Sequence, residues 1–263
     1  MASGSVALLA DTIHNFGDAL TAIPLGIAFV IGKRPPTKRY TYGFGRAEDL
    51  AGVVVVAMIA ASAVIAGYEA ITRLFDPREI AHVPWVIAAG VIGFAGNELV
   101  AIYRIRVGRR IGSAALEADG LHARTDGLTS LAVVVAAIGS ALGWHHADPI
   151  VGLVVTVAIV GIVRSAARDI YRRLMDAVDP GLVDEIEHVL GHVDGVEGVD
   201  SVRVRWSGHE LLAEIDVVAD EDLTLAAAHA VAERARHALL EEVARLASVT
   251  IHVNPSGDGH HSE

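Results

Sequence analysis

The pattern Asp-x2-His-x3-Asp occurs twice, as Asp11–His14–Asp18 and as Asp119–His122–Asp126. Leu20 and Thr21 also coincide with Leu128 and Thr129 under the same shift of 108 residues. Positions i, i+3 and i+7 share one face of a helix, so each histidine sits one turn from the aspartate that follows it. Two such helices facing each other bring two imidazoles and two carboxylates to one point. A tetrahedral N2O2 set suits Zn2+, at about 2.0–2.2 Å per ligand. The candidate ligands are therefore His14, Asp18, His122 and Asp126. Asp11 and Asp119 either orient those ligands from behind or make polar contacts between helices. On a soluble protein His-x3-Asp is an ordinary surface pair. Inside a bilayer, and in duplicate, ionisable groups are costly and point to function.

The elements that must hold these residues are apolar. The chain has 263 residues, 52% of them apolar and 20% charged, with a mean hydropathy of +0.45. A water-soluble enzyme is the weaker reading of such a composition. Five apolar stretches stand out, at 6–32, 50–68, 83–97 (continuing to 103), 127–144 and 149–163. Each fits a helix crossing a bilayer, which takes about 20 mostly apolar residues. Burying five such helices in a soluble core would leave too little polar surface to cover them. With no cysteine, thiolate metal sites, cysteine nucleophiles and disulfides are excluded.

Lysine and arginine between the stretches set the orientation. Their counts after stretches one to five run 5, 2, 4, 0 and 4, which makes the first and third connections and the C-terminal tail cytoplasmic. The first stretch then begins outside, with no charged leader before it. An odd number of spans with an outside start leads us to expect an N-terminally shortened six-span protein. Residues 1–176 carry a net charge of +2 and residues 177–263 a net charge of −13. Two domains follow: 1–176 in the membrane and 177–263 as an acidic cytoplasmic domain. The overall charge of −11 argues against nucleic acid as a partner.

The tail reads as a small α+β unit of order αββαβ. Asp179-Pro180 starts a helix, with Val183, Ile186, Val189, Leu190 and Val193 on one face. Val199, Val202, Val204 and Trp206 mark a strand. Ser207-Gly208 turns the chain into a second strand at 211–218. An alanine-rich helix is expected over 223–245. Val249, Ile251 and Val253 alternate inward along a last strand, and the end beyond Ser256 is expected to fray.

With these residues in view, the chain resembles the cation diffusion facilitator family. Gly4-Ser5-Val6-Ala7-Leu8-Leu9-Ala10-Asp11, with His14 and Asp18, is similar to that family's second membrane helix. Tyr40-Thr41-Tyr42-Gly43-Phe44-Gly45-Arg46-Ala47-Glu48 resembles the loop into its third, and Leu121-His122 with Asp126 its fifth. The stretch ending Ile251-His252-Val253-Asn254-Pro255 resembles its cytoplasmic metal-sensing domain. The resemblance implies a six-helix membrane bundle, of which five spans are present here. It also implies a homodimer in the plasma (inner) membrane that exchanges cytoplasmic Zn2+ or similar ions for protons. Two departures matter. Thr37, Tyr40 and Phe44 stand where family members often hold a second metal, so that site is expected to be missing. In the tail, Asp216, His229 and His252 are candidate ligands for cytoplasmic Zn2+, with Asn254 where an aspartate often stands.

Other polar residues carry less weight. His145, His146 and Asp148 form an outer cluster that could touch a departing ion. His260 and His261 could bind metal weakly. His82, His188, His192, His209 and His237 read as solvated, and Glu69 and Glu98 as facing water or a partner helix. The function expected is divalent cation efflux, with Zn2+ and protons as exchanged ions. An imidazole binds Zn2+ only when neutral, so metal and proton compete for it. No GxxxxGK[ST] loop for ATP appears. The alternatives are a membrane metal sensor that does not transport, and an intramembrane metallohydrolase. The latter lacks an HExxH motif or a separate base, so no enzymatic activity is expected.

Overall fold

The computed structural model describes residues 23–75, 82–144 and 146–257. It divides into two compact units, 1–171 and 172–263. The family of elements in the first is all helical: α1 (Ile23–Gly32), α2 (Ala47–Phe75), α3 (Val83–Ile111), α4 (Ala114–Ala141) and α5 (Ala147–Leu174). The four from α2 to α5 are long and apolar enough to span a membrane. At 1.5 Å rise per residue, 29 residues of α2 reach about 43 Å, more than the roughly 30 Å of hydrocarbon.

Every described span is longer than its apolar stretch. Arg104, Arg106, Arg109 and Arg110 lie inside α3, and Arg164, Arg168, Arg172 and Arg173 inside α5. In the sequence both sets follow apolar stretches and read as connections. Their long stems can run along apolar surface while the charge reaches the interface, and cations in a last turn complement the helix dipole. α4 starts at Ala114, four residues before Ala118, where the second motif is expected to open the fourth span. Its N-cap is Ser113, whose hydroxyl accepts from the Leu116 amide at 3.3 Å. Only Gly112 and Ser113 separate α3 from α4. Gly112 takes φ 75°, left-handed backbone that glycine adopts without Cβ strain.

That tight turn makes α3 and α4 antiparallel neighbours, and small residues let their backbones close. A Cβ on Gly120 would meet the Ile105 amide nitrogen at 2.9 Å, and one on Gly90 would meet the Ser130 carbonyl oxygen at 3.0 Å. On the other side of α4, Ala118 packs with Val55, Ile59 and Ala63 of α2 and Ile159 of α5. Ala115 packs with Ala51 of α2 and Leu25 and Ala28 of α1. α4 is thus held from two sides, and its N-terminal half, from Ala115 to Gly127, is largely buried.

The second unit has the order α6 (Pro180–Leu190), β1 (Gly198–Ser207), β2 (Glu210–Ala219), α7 (Leu225–Glu242), β3 (Leu246–Pro255), the expected αββαβ. The sheet order is β1-β2-β3, with an antiparallel hairpin and a parallel β2–β3 pair joined through α7. Asp179 caps α6, accepting from the Gly181 amide at 2.9 Å. α7 begins after Thr224, two residues later than expected, because that hydroxyl accepts from the Ala227 amide. Leu211, Ala213, Ile215 and Val217 of β2 enter one core with Ile186 and Leu190 of α6 and Ala235 and Leu239 of α7. Since side chains alternate along a strand, Leu212, Glu214 and Asp216 take the opposite, open face.

Candidate metal transport site

α4 carries the second motif in its N-terminal half. His122 and Asp126 are 4% and 7% exposed, and His122 Nε2 lies 3.9 Å from Asp126 Oδ2. Three hydroxyls around them are occupied by the helix itself. Thr125 donates to the His122 carbonyl at 2.7 Å, Thr129 to the Asp126 carbonyl at 2.8 Å, and Ser130 to the same oxygen at 3.0 Å. Such bonds keep polar groups satisfied where water is scarce. Gly127 lies against Asn97 of α3, so α3 backs the helix. His122 lies one turn from Ala118, on the face that meets α2 and α5. Asp11, His14 and Asp18 lie outside the described residues, as do His145, His260 and His261.

Asp119 is held otherwise. Its carboxylate is 2.9 Å from Arg104 of α3, with side-chain exposures of 2% and 28%. Of the two roles open to it in the sequence, an ion pair to α3 is the geometry expected of a contact between helices. A second cross-helix pair joins Arg124 to Glu98 through bonds of 2.7 and 3.2 Å. Sequence reasoning missed Arg104 and Arg124 as structural cations. The signal was present, because Arg124 stands inside the motif and a charge at that depth needs a partner.

A cavity of about 180 Å³ begins one turn beyond Asp126, lined by Thr129, Val133, Glu69, Arg73, Asp148 and Gly152 among others. Arg73 bridges Asp148 of α5 at 2.9 Å and Glu69 at 3.7 Å. Asp148, expected in the outer-loop cluster, is thus engaged in the first turn of α5. In the connection before α2, Thr37 and Tyr40 bond each other. The Thr37 amide donates to the Tyr40 carbonyl and the Tyr40 amide to the Thr37 hydroxyl. The Tyr40 and Phe44 rings lie 4.7 Å apart. Glu48, at the end of that stretch, is buried and accepts from Ser113 Oγ at 3.2 Å.

In the second unit, Asp216 and His252 are register partners across β2 and β3. They line a shallow cavity of about 290 Å³ with Arg203, Glu214 and Thr250, and Asp216 accepts from Ser201 Oγ at 2.6 Å. His229 does not join them. It is exposed on α7, and α7 packs on the opposite face of the sheet. Among the described residues no three His, Asp or Glu side chains converge as a metal cage. Asn254 donates to Asp200 at 3.3 Å.

Comparison with known proteins agrees with this layout. Residues 1–175 match the cation efflux transmembrane domain, and residues 178–256 the cytoplasmic domain of cation efflux proteins. A probable cation efflux system protein of Mycobacterium tuberculosis is 61% identical over 257 residues, covering 98% of this chain and 77% of that protein. The manganese efflux system protein MneP of Bacillus subtilis is 29% identical, covering 95% and 87%. The magnetosome protein MamB of a Magnetospira strain is 26% identical, covering 96% and 87%.

Proposed function

The chain belongs to the cation diffusion facilitator family, as an integral membrane efflux transporter of divalent metal cations with a cytoplasmic C-terminal domain, and on that premise we propose that it exports Zn2+ from the cytoplasm in exchange for protons. The observation that carries this reading is the buried His122–Asp126 pair in the N-terminal half of α4. Paired with His14 and Asp18, it would supply two nitrogens and two oxygens to one ion. Imidazole favours Zn2+, whereas Mn2+ and Mg2+ favour sites built of oxygen alone. A proton on either imidazole removes a metal-binding lone pair, so arrival of protons at an outward-open site expels metal.

The second unit would join two copies into a homodimer, as the dimeric family implies. Metal on its open face would be shared by Asp216 and His252, and His229 lies too far round the fold to assist them. The manganese efflux relative favours one other reading, Mn2+ as cargo. Competition for uptake into sealed vesicles distinguishes them. We expect Zn2+ to block radioactive cation uptake at concentrations where Mn2+ does not, with proton movement in the opposite direction. Equal competition by Mn2+, or uptake indifferent to a pH gradient, would overturn the respective half of this proposal.

A further inference from the structure

Two histidines of the second unit are arranged in a way that the transport reading leaves unused. His188 lies in the last turn of α6 and His192 one turn later. The chain keeps its helical sense between them, because Gly191 has φ −64° and ψ −11°. The His192 amide donates to the Val189 carbonyl at 3.1 Å. Both side chains are exposed. Their rings stand edge to face with centroids 4.6 Å apart.

The tautomer of His192 is settled by its partner. Its Nδ1 is 2.8 Å from the His188 carbonyl oxygen. A carbonyl has no proton to give, so Nδ1 carries the hydrogen, and in the neutral ring Nε2 keeps a lone pair. A backbone acceptor behind one ring nitrogen is the arrangement that orients histidines in metal sites. Two histidines at i and i+4 on one helical face are also the spacing that metal-binding helices use.

We propose that His188 and His192 form a two-imidazole chelate for a borderline divalent cation of the Zn2+, Co2+, Ni2+ or Cu2+ class. Imidazole nitrogen suits these ions, and Mg2+ or Ca2+ would not compete. The chelate is separate from the buried pair on α4, and from Asp216 and His252 on the sheet. Water fills the remaining coordination positions. The −13 net charge of residues 177–263 raises the local concentration of cations around it. The position suits a sensor of cytoplasmic metal, since the site is exposed on a cytoplasmic domain.

The test is Zn2+ binding to the full chain in detergent micelles, by equilibrium dialysis against a chelator buffer. The variants are His188→Gln, His192→Gln and the pair together. His237→Gln serves as the control, because His237 is equally exposed and bonds the Glu233 carbonyl but has glutamates, not histidines, one turn away on either side. We expect each single variant to weaken one Zn2+ equivalent per chain by roughly tenfold or more, since a lone imidazole cannot chelate. The double variant should lose that equivalent, and His237→Gln should change nothing. Unchanged stoichiometry in the double variant, an effect of one single variant without the other, or an equal effect of His237→Gln would each overturn the proposal. Metal-free melting curves that superimpose on wild type establish that any loss is not unfolding.

Discussion

Removing Arg104 should damage the protein more than removing its partner Asp119. The two sit 2.9 Å apart, and their exposures are unequal, 28% for the arginine side chain and 2% for the aspartate. Arg104→Gln leaves a deeply buried carboxylate without its guanidinium. Breaking a buried pair from that side costs about 3–5 kcal/mol. Asp119→Asn leaves an arginine that still reaches water, and keeps a hydrogen-bonding oxygen for it. About 1–2 kcal/mol is the expected cost. The double variant Arg104→Gln with Asp119→Asn should recover most of the loss, because no buried charge remains. Equilibrium unfolding in mixed micelles at graded SDS concentration measures all three. Polar contacts between membrane helices average only about 0.6 kcal/mol. If both single variants cost no more than that, the pair does not hold α3 to α4. The contact role also predicts that Asp119→Asn changes Zn2+ affinity by less than threefold. A 10–100-fold loss of affinity at unchanged stability would instead make Asp119 an orienter of the metal ligands.

Two further outcomes follow from the packing and the charges. Gly120→Ala should destabilise the membrane unit by about 1–3 kcal/mol, because its Cβ would press on the Ile105 backbone at 2.9 Å, whereas Gly161→Ala, with nothing within 4 Å, should be neutral or mildly stabilising; equal effects in the unfolding assay would refute close α3–α4 contact. Glu233 is held below the usual glutamate range chiefly by its hydrogen bond from Arg236. A carboxyl lowered on folding adds stability that is present above its unfolded value and disappears as pH falls through its folded one. Arg236→Gln should therefore narrow the gap in melting temperature between pH 7 and pH 3, and an unchanged gap would contradict the assignment.

Much of this architecture is legible in the residues because each local signal agrees with its neighbours. Asp179-Pro180 starts a helix where the aspartate can cap it, and alternation along β2 fixes which residues enter the core. The same alternation separates Asp216 from α7, yet the sequence reading grouped His229 with it. The pattern of a single helix or strand does not say which side of a sheet the helix covers; the core that α7 shares with Leu211, Ala213, Ile215 and Val217 does. The uncharged stretch at 127–144 falls short of α4 because Asp119, His122, Arg124 and Asp126 interrupt the apolar run, although their repeated motif places them on the same helix. Asp119 and Arg124 are tolerated through partners on α3, Arg104 and Glu98, and pairs so far apart in the chain have no local signature in the sequence. The His122–Asp126 pair itself was visible, since one helical turn is enough to bring the two side chains together.

The central claim is that His122 and Asp126 hold the transported ion. Zn2+ uptake into sealed vesicles containing purified wild type, His122→Ala or Asp126→Asn, with an imposed proton gradient, tests it directly. The account predicts rapid uptake by wild type and none above the protein-free background for either variant, with both variants still inserted and retaining wild-type circular dichroism. Uptake by either folded variant at the wild-type rate would contradict it.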